Sequence, residues 1–137
     1  MKTAFSPLTV ALGLVAATAS TTATANRGPF YYVCYAAAGV SDAYISGVFS
    51  VSYENRYKIE PQMEAFKAAV LETFDVHPSL ADPAQPPRCN SQRTREDAEK
   101  LRETFVKSQS GRNRAVYDTG WTPQEGIRNR EPAYVPE

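Results

Sequence analysis

The chain has 137 residues, and its 15 basic and 15 acidic side chains give a formal net charge of zero. A neutral chain lacks the strong basic footprint on which nucleic-acid binding depends, and it offers no polybasic segment to an anionic membrane. Two cysteines and one histidine are too few to form a metal site without carboxylates, so we expect neither a metal nor a cofactor.

The first 25 residues have the pattern of a secretory signal peptide. Lys2 precedes an apolar stretch from Ala4 to Ala19, and Ala23 and Ala25 form an A-x-A cleavage site. The stretch is shorter than the about 20 apolar residues of a spanning helix, and it lacks the polar face of the alternative, a buried N-terminal helix. We therefore expect cleavage after Ala25, no stable membrane insertion afterwards, and a periplasmic or secreted product.

The two cysteines, Cys34 and Cys89, are expected to form a disulfide. Lipidation requires a cysteine directly after the cleavage site, whereas Cys34 follows Ala25 by nine positions. A cysteine nucleophile would need a histidine partner, and His77 lies in a turn-like stretch before a proline, which disfavours this pairing. In an oxidising compartment two cysteines usually pair, and a bridge closing a loop of this length stabilises a fold by about 4 kcal/mol.

The residues after the signal peptide predict a β-hairpin. Residues 30–37 are rich in aromatic and β-branched side chains, and residues 43–53 alternate between apolar and polar side chains. A glycine-containing turn between them favours antiparallel pairing. Alternation along an uninterrupted second strand places Ile45 on the face of Phe49 and Tyr44 on the opposite face.

Two helices are predicted further along the chain. Apolar side chains recur at helical spacing over residues 58–75, and Thr94 resembles the N-cap of a second helix that ends near Gly111. The proline-rich loop Pro78–Pro87 separates the helices, and a short strand is expected over residues 88–92.

These elements predict an α+β domain over residues 26–122. Its order is β-β-α-(β)-α-β, a small antiparallel sheet packed against two helices and fixed by one disulfide. The last strand passes through Val116. Residues 123–137 contain little to bury and are expected to form a flexible C-terminal tail.

Several short motifs resemble those of small exported bacterial proteins of uncharacterised function. The motifs are a Y-V-C strand at Tyr32–Cys34, a Y-[VI]-S-x-V-F strand at Tyr44–Phe49, a central cysteine, Cys89, before a polar helix, and V-x-x-T-G-W at Val116–Trp121. The resemblance spans about residues 31–121 and implies export, one disulfide and a compact domain. It implies no activity and no catalytic residue, and the loop Pro78–Pro87 departs from its pattern.

Four aromatic residues are candidates for a binding surface: Tyr31, Tyr35, Tyr44 and Trp121. The three tyrosines could share one side of the hairpin and stack on a glycan or contact a partner protein, and the tryptophan could anchor a ligand. The alternative is that the helices cover this face and that all four side chains belong to the core.

The sequence favours a binding domain over an enzyme. Common hydrolase, metalloprotease and nucleotide-binding motifs do not occur in it. We therefore predict a non-catalytic domain whose partner is a protein or glycan of the cell envelope. The alternative is a small periplasmic hydrolase that pairs Asp118 with Glu54 or Glu72. A third hypothesis is an accessory module that contacts its partner through the tail.

Overall fold

The computed structural model describes residues 27–76 and 87–137, which form a five-stranded sheet and two long helices. The predicted signal peptide, His77 and all but the last residue of the loop Pro78–Pro87 lie outside the described residues. The elements are β1 (Phe30–Ala38), β2 (Asp42–Ile45), β3 (Phe49–Val51), a 3-10 turn (Tyr53–Asn55), α1 (Glu60–Phe74), β4 (Arg88–Gln92), α2 (Arg95–Gly111) and β5 (Ala115–Asp118). Within these ranges no helix is long and apolar enough to cross a membrane.

Strand β1 is the centre of the sheet. Its C-terminal half pairs with β2 and its N-terminal half with β3, while β4 pairs along the opposite edge, all antiparallel. Strand β5 lies beside β2 and is parallel to it, because the chain crosses the sheet through α2 before it enters β5. The α+β class and the two helices are as predicted. The single strand predicted over residues 43–53 is divided into β2 and β3, and the sheet is mixed where an antiparallel one was expected.

Strands β2 and β3 are separated by a β-bulge. Tyr35 pairs with Ile45 and Tyr32 with Phe49, so two residues of β1 lie opposite the three residues Ser46–Val48. The extra residue reverses the alternation of side chains. The predicted placement of Ile45 on the face of Phe49 is therefore wrong, and the two residues belong to different core clusters.

Hydrogen bonds fix the bulge. The Ser46 amide donates to the Cys34 carbonyl at 2.9 Å, and the Cys34 amide donates to Ser46 Oγ at 2.7 Å. The Gly47 amide donates to the Trp121 carbonyl at 2.9 Å. Buried polar groups are costly when unpaired, so these bonds allow Ser46 to lie fully buried at the middle of the sheet.

The two helices cover opposite faces of the sheet. Helix α1 packs Phe66 and Val70 against one face, and α2 packs Ala98 and Phe105 against the other. Fully burying one such large apolar side chain contributes about 1.5–3 kcal/mol. The sheet is therefore the middle of three layers.

The predicted disulfide is confirmed. Cys34 and Cys89 are directly opposite each other in the β1–β4 pair, with a Cα–Cα distance of 4.0 Å. The Cys34 amide and carbonyl both point to Ser46, away from β4. Opposed residues without mutual hydrogen bonds are the pairs in which two antiparallel strands approach most closely, so the register itself brings the sulfur atoms together.

The segment predicted to be a flexible tail lies against β5. The Val116 amide donates to the Tyr134 carbonyl at 2.9 Å, and the Ala133 amide donates to the Val116 carbonyl at 2.7 Å. Earlier in the same segment, the Arg128 amide donates to the carbonyl of Thr119, the residue that follows β5, at 2.9 Å. The two Val116 bonds occupy backbone groups on the edge of β5 that faces away from β2.

Candidate functional site

Two of the four aromatic candidates, Tyr44 and Trp121, lie inside the core on the α1 side of the sheet. Tyr44 is 1% exposed and Trp121 is 3% exposed. The Trp121 ring meets Phe49 edge-on, with 5.7 Å between ring centroids, and lies 5.3 Å from the Phe66 ring. These positions match the core alternative considered for both residues.

Tyr31 and Tyr35 are half-buried on the α2 side. The Tyr35 ring lies 5.7 Å from Phe105, and its hydroxyl accepts a hydrogen bond of 3.2 Å from Arg114 Nη1. The three tyrosines therefore do not form one surface. Tyr44 pairs with Ala36, and cross-strand partners share a face, so Tyr44 lies on the face opposite Tyr35.

Asp118, the carboxylate of the hydrolase hypothesis, forms an ion pair with Arg102. Arg102 Nε also bonds Glu99 Oε2 at 2.8 Å. Burial would lower the pKa of Arg102, but hydrogen bonds and charges from Glu99 and Asp118 outweigh it and raise that pKa. Glu72 lies on α1, across the sheet from this ion pair. The geometry therefore pairs Asp118 with a guanidinium that it shares with Glu99, and Glu103 lines the same cavity, whereas Glu72 lies on the other side of the sheet.

The structure instead brings arginines and aromatic rings together at the end of the sheet where β1 begins and β3 and β4 end. We call this set the arginine–aromatic surface. It wraps around the end of the sheet, because Phe30 packs on the α1 side and Tyr31 packs on the α2 side. It consists of Arg27, Phe30, Tyr31, Tyr53, Arg56, Tyr57, Arg93 and Arg95. Each of its four guanidiniums lies within 6 Å of a ring centroid, the range in which a cation is attracted to the ring face.

Local structure places Arg56. In a 3-10 turn, side chains three residues apart lie one above the other, which brings the Arg56 guanidinium 3.7 Å from the Tyr53 centroid. Arg56 Nη1 also donates to the Tyr53 carbonyl at 2.7 Å, and Tyr57, which is 85% exposed, lies 4.4 Å away. Arg56 is therefore held between two rings with one ring open to solvent.

Tertiary structure places the other arginines. Arg93 follows β4 directly and lies 4.7 Å from the Phe30 centroid, and the Phe30 ring is 6.2 Å from the Tyr53 ring. Arg95 opens α2 and lies 5.4 Å from the Tyr31 centroid. The β1–β4 pairing, closed by the disulfide, therefore determines which rings these two arginines meet.

The arginines of this surface have no acidic partner among residues 27–76 and 87–137. The ion pairs in those ranges join Lys67 to Glu64, Lys100 to Glu96, Arg102 to Glu99 and Asp118, and Arg128 to Glu125. Arg27, Arg93 and Arg95 are also exposed. Their guanidinium N–H groups can therefore bind a carboxylate, sulfate or phosphate with two parallel hydrogen bonds.

A groove adjoins this surface along the outer edge of β3. It consists of two cavities of about 360 and 340 Å³, and Phe49, Ser50 and Gln124 line both. Lys58 lines the first cavity, and Arg95 lines the second. The groove and the arginine–aromatic surface therefore share Arg95.

No cluster that could hold a metal ion occurs in the part of the chain that the structure describes. Comparison of the chain with models of protein families, with curated proteins and with solved structures found no match. Inference about function therefore depends on the residues and geometry described above.

The arginine–aromatic surface was not predicted from the sequence. One local signal was present, because Tyr53 and Arg56 are three residues apart directly after a strand. The other contacts join residues far apart in the chain, such as Phe30 and Arg93. Spacing along the sequence contains no information on these.

Proposed function

We propose that the mature chain is an exported, non-catalytic domain that binds an anionic protein or glycan of the cell envelope through the arginine–aromatic surface. The observation that carries this proposal is the set of four guanidiniums that lie over aromatic rings without a carboxylate partner in the described ranges.

The rings prepare the arginines for a ligand. An exposed cation–π contact stabilises the fold by only about 0.5–1 kcal/mol, so stability alone gives little reason to gather four of them. A guanidinium already held by a ring loses less side-chain freedom when it binds, which leaves more of the interaction energy for affinity. The open face of Tyr57 adds a platform on which a sugar or peptide side chain can stack.

Two further features support export. The N-terminal segment has the composition of a signal peptide, and Cys34 and Cys89 form a disulfide, a bond that persists in oxidising compartments.

Binding of defined anions to the oxidised mature protein, residues 26–137, tests this proposal. The probes are an oligogalacturonate and a Glu-rich peptide, with a neutral dextran oligosaccharide for comparison, measured by titration calorimetry. The test variants are Arg27→Gln and Arg93→Gln, because both side chains are exposed. The matched control is Arg112→Gln, an exposed arginine at the other end of α2.

We expect at least one anionic probe to bind and each test variant to weaken it about three- to tenfold, the loss of one hydrogen-bonded contact. Arg112→Gln should have no effect, and affinity should fall as sodium chloride screens the charges. Equal binding of the neutral oligosaccharide, or equal losses in Arg93→Gln and Arg112→Gln, would contradict the proposal.

A further inference from the structure

The backbone of Ser50 points into the groove beside β3. In an antiparallel sheet the amide and carbonyl of one residue point to the same side, and successive residues alternate. Cys34 directs both groups toward β2 through its bonds with Ser46. Tyr32 and Phe30 therefore direct theirs toward β3, and Tyr31, which lies opposite Ser50, directs its own toward β4.

It follows that Tyr31 and Ser50 do not bond each other and that the Ser50 peptide groups point away from β1. The same geometry is visible at Ile45, the residue opposite Tyr35. Its carbonyl points away from β1 and accepts a hydrogen bond of 2.9 Å from the Thr119 amide. Ile45 thus has a partner on its outer side, whereas Ser50 takes part in none of the backbone hydrogen bonds that lie outside the regular strands of the described chain.

We propose that β3 is the docking edge for an extended acidic segment of a partner protein, which adds to the sheet as a strand beside Ser50. This inference rests on the proposed function and chooses a protein over a glycan. A polypeptide offers an amide and a carbonyl in the spacing that an open strand edge accepts, and a glycan does not.

The charges around the groove specify the acidic character. Lys58 lines one cavity and Arg95 the other, and neither has a carboxylate within ion-pair distance in the described ranges. The acidic residue of the groove, Glu125, already pairs with Arg128 at 3.0 Å. A strand that carries carboxylates therefore complements the groove.

Proline at position 50 separates strand addition from simple charge attraction. Ser50→Pro removes the outward N–H, and it leaves the β1–β3 hydrogen bonds intact because that N–H does not take part in them. Ser50→Ala is the matched control, since it removes the hydroxyl and keeps the N–H. The probe is a peptide of alternating Glu and Thr with blocked ends. Two further probes carry N-methyl groups, each on one of the two alternating sets of residues.

We expect Ser50→Pro to weaken binding of the Glu-Thr peptide about tenfold and Ser50→Ala to change it less than about twofold, as the loss of one backbone hydrogen bond predicts. N-methylation on one of the two alternating sets should abolish binding to the unaltered protein. Because it uses the unaltered protein, the N-methylation measurement still tests strand addition if Ser50→Pro fails to fold.

The outcomes separate this inference from the proposed function. If the peptide binds Ser50→Pro and Ser50→Ala equally and tolerates N-methylation, strand addition is wrong and anion binding stands. If no anionic probe binds the unaltered protein, both are wrong. If sedimentation shows that the protein dimerises and that Ser50→Pro abolishes the dimer, a second copy occupies the edge and the acidic partner is wrong.

Discussion

Tyr44 places an ionisable hydroxyl in the core on the α1 side. Its ring stacks on Tyr117 with 5.1 Å between centroids and lies 4.9 Å from the Phe74 ring. Burial, with smaller contributions from Asp42 and Tyr117, raises the pKa of Tyr44 above that of a free tyrosine. The phenol therefore stays protonated in the folded chain at a pH at which it ionises in the unfolded chain.

This difference predicts that the protein loses stability in alkali. Below about pH 10 both states are protonated and the contribution of Tyr44 is complete, whereas above it the unfolded state releases a proton that the folded state retains. The free energy of unfolding should then fall by up to about 1.4 kcal/mol per pH unit for this group. Urea unfolding of Tyr44→Phe at pH 9 and pH 11 should show a smaller fall than the unaltered protein. Tyr57→Phe, at an exposed position, should show the full fall, and equal slopes in the two variants would refute the assignment.

At the scale of elements, the bulge between β2 and β3 depends on Gly47. A Cβ atom at this position would lie 3.0 Å from the Gly120 carbonyl oxygen and 3.3 Å from that of Trp121. Both neighbours are backbone atoms and cannot rotate away. The glycine therefore allows the segment after β5 to approach the sheet closely enough for the Gly47–Trp121 hydrogen bond.

Gly47→Ala is expected to lower the free energy of unfolding by about 1–3 kcal/mol, because the backbone must shift to relieve the contact. Gly111→Ala is the matched control. A Cβ atom there meets nothing within 4 Å, and alanine in a helix is favoured over glycine, so this variant should be as stable as the unaltered protein or more so. Thermal unfolding measures the stability of the two variants in parallel. Unchanged stability of Gly47→Ala would contradict the prediction and show that the backbone adapts to the added Cβ atom.

The elements that the sequence predicted correctly are those whose signals are local. A run of aromatic residues predicted β1, and apolar residues at helical spacing predicted α1. The predicted N-cap of α2, Thr94, accepts a hydrogen bond of 3.1 Å from the Asp97 amide. The bulge was not predicted because Ser46 continues the alternating pattern of the sequence. The extra residue of the bulge is visible only in the pairing of β2 and β3 with β1. The arginine–aromatic surface escaped because most of its contacts join distant segments.

At the scale of the whole molecule, β1 connects most of the fold. It pairs with β2, β3 and β4, and the disulfide from Cys34 to Cys89 joins it covalently to β4. Strand β4 leads into α2, which covers one face of the sheet. The disulfide thus ties the second half of the chain to the central strand.

The double variant Cys34→Ala, Cys89→Ala should lose about 4 kcal/mol of unfolding free energy, because an unfolded chain without the bridge gains the freedom of a long loop. Guanidinium unfolding measures the loss, and the unaltered protein in excess dithiothreitol should approach the same value. Thiol labelling of the native oxidised protein should find no free cysteine. A loss below about 1 kcal/mol would mean that the unfolded chain is already constrained without the bridge.

The position of the disulfide also determines how the chain responds to a mechanical pull. Force applied to the two termini is transmitted through the sulfur atoms of Cys34 and Cys89, which are 55 residues apart in sequence. The segment between the two cysteines therefore carries no tension, even after every strand has separated. About 190 Å of contour length is thereby withheld from extension. A reductant would release that length in a single step.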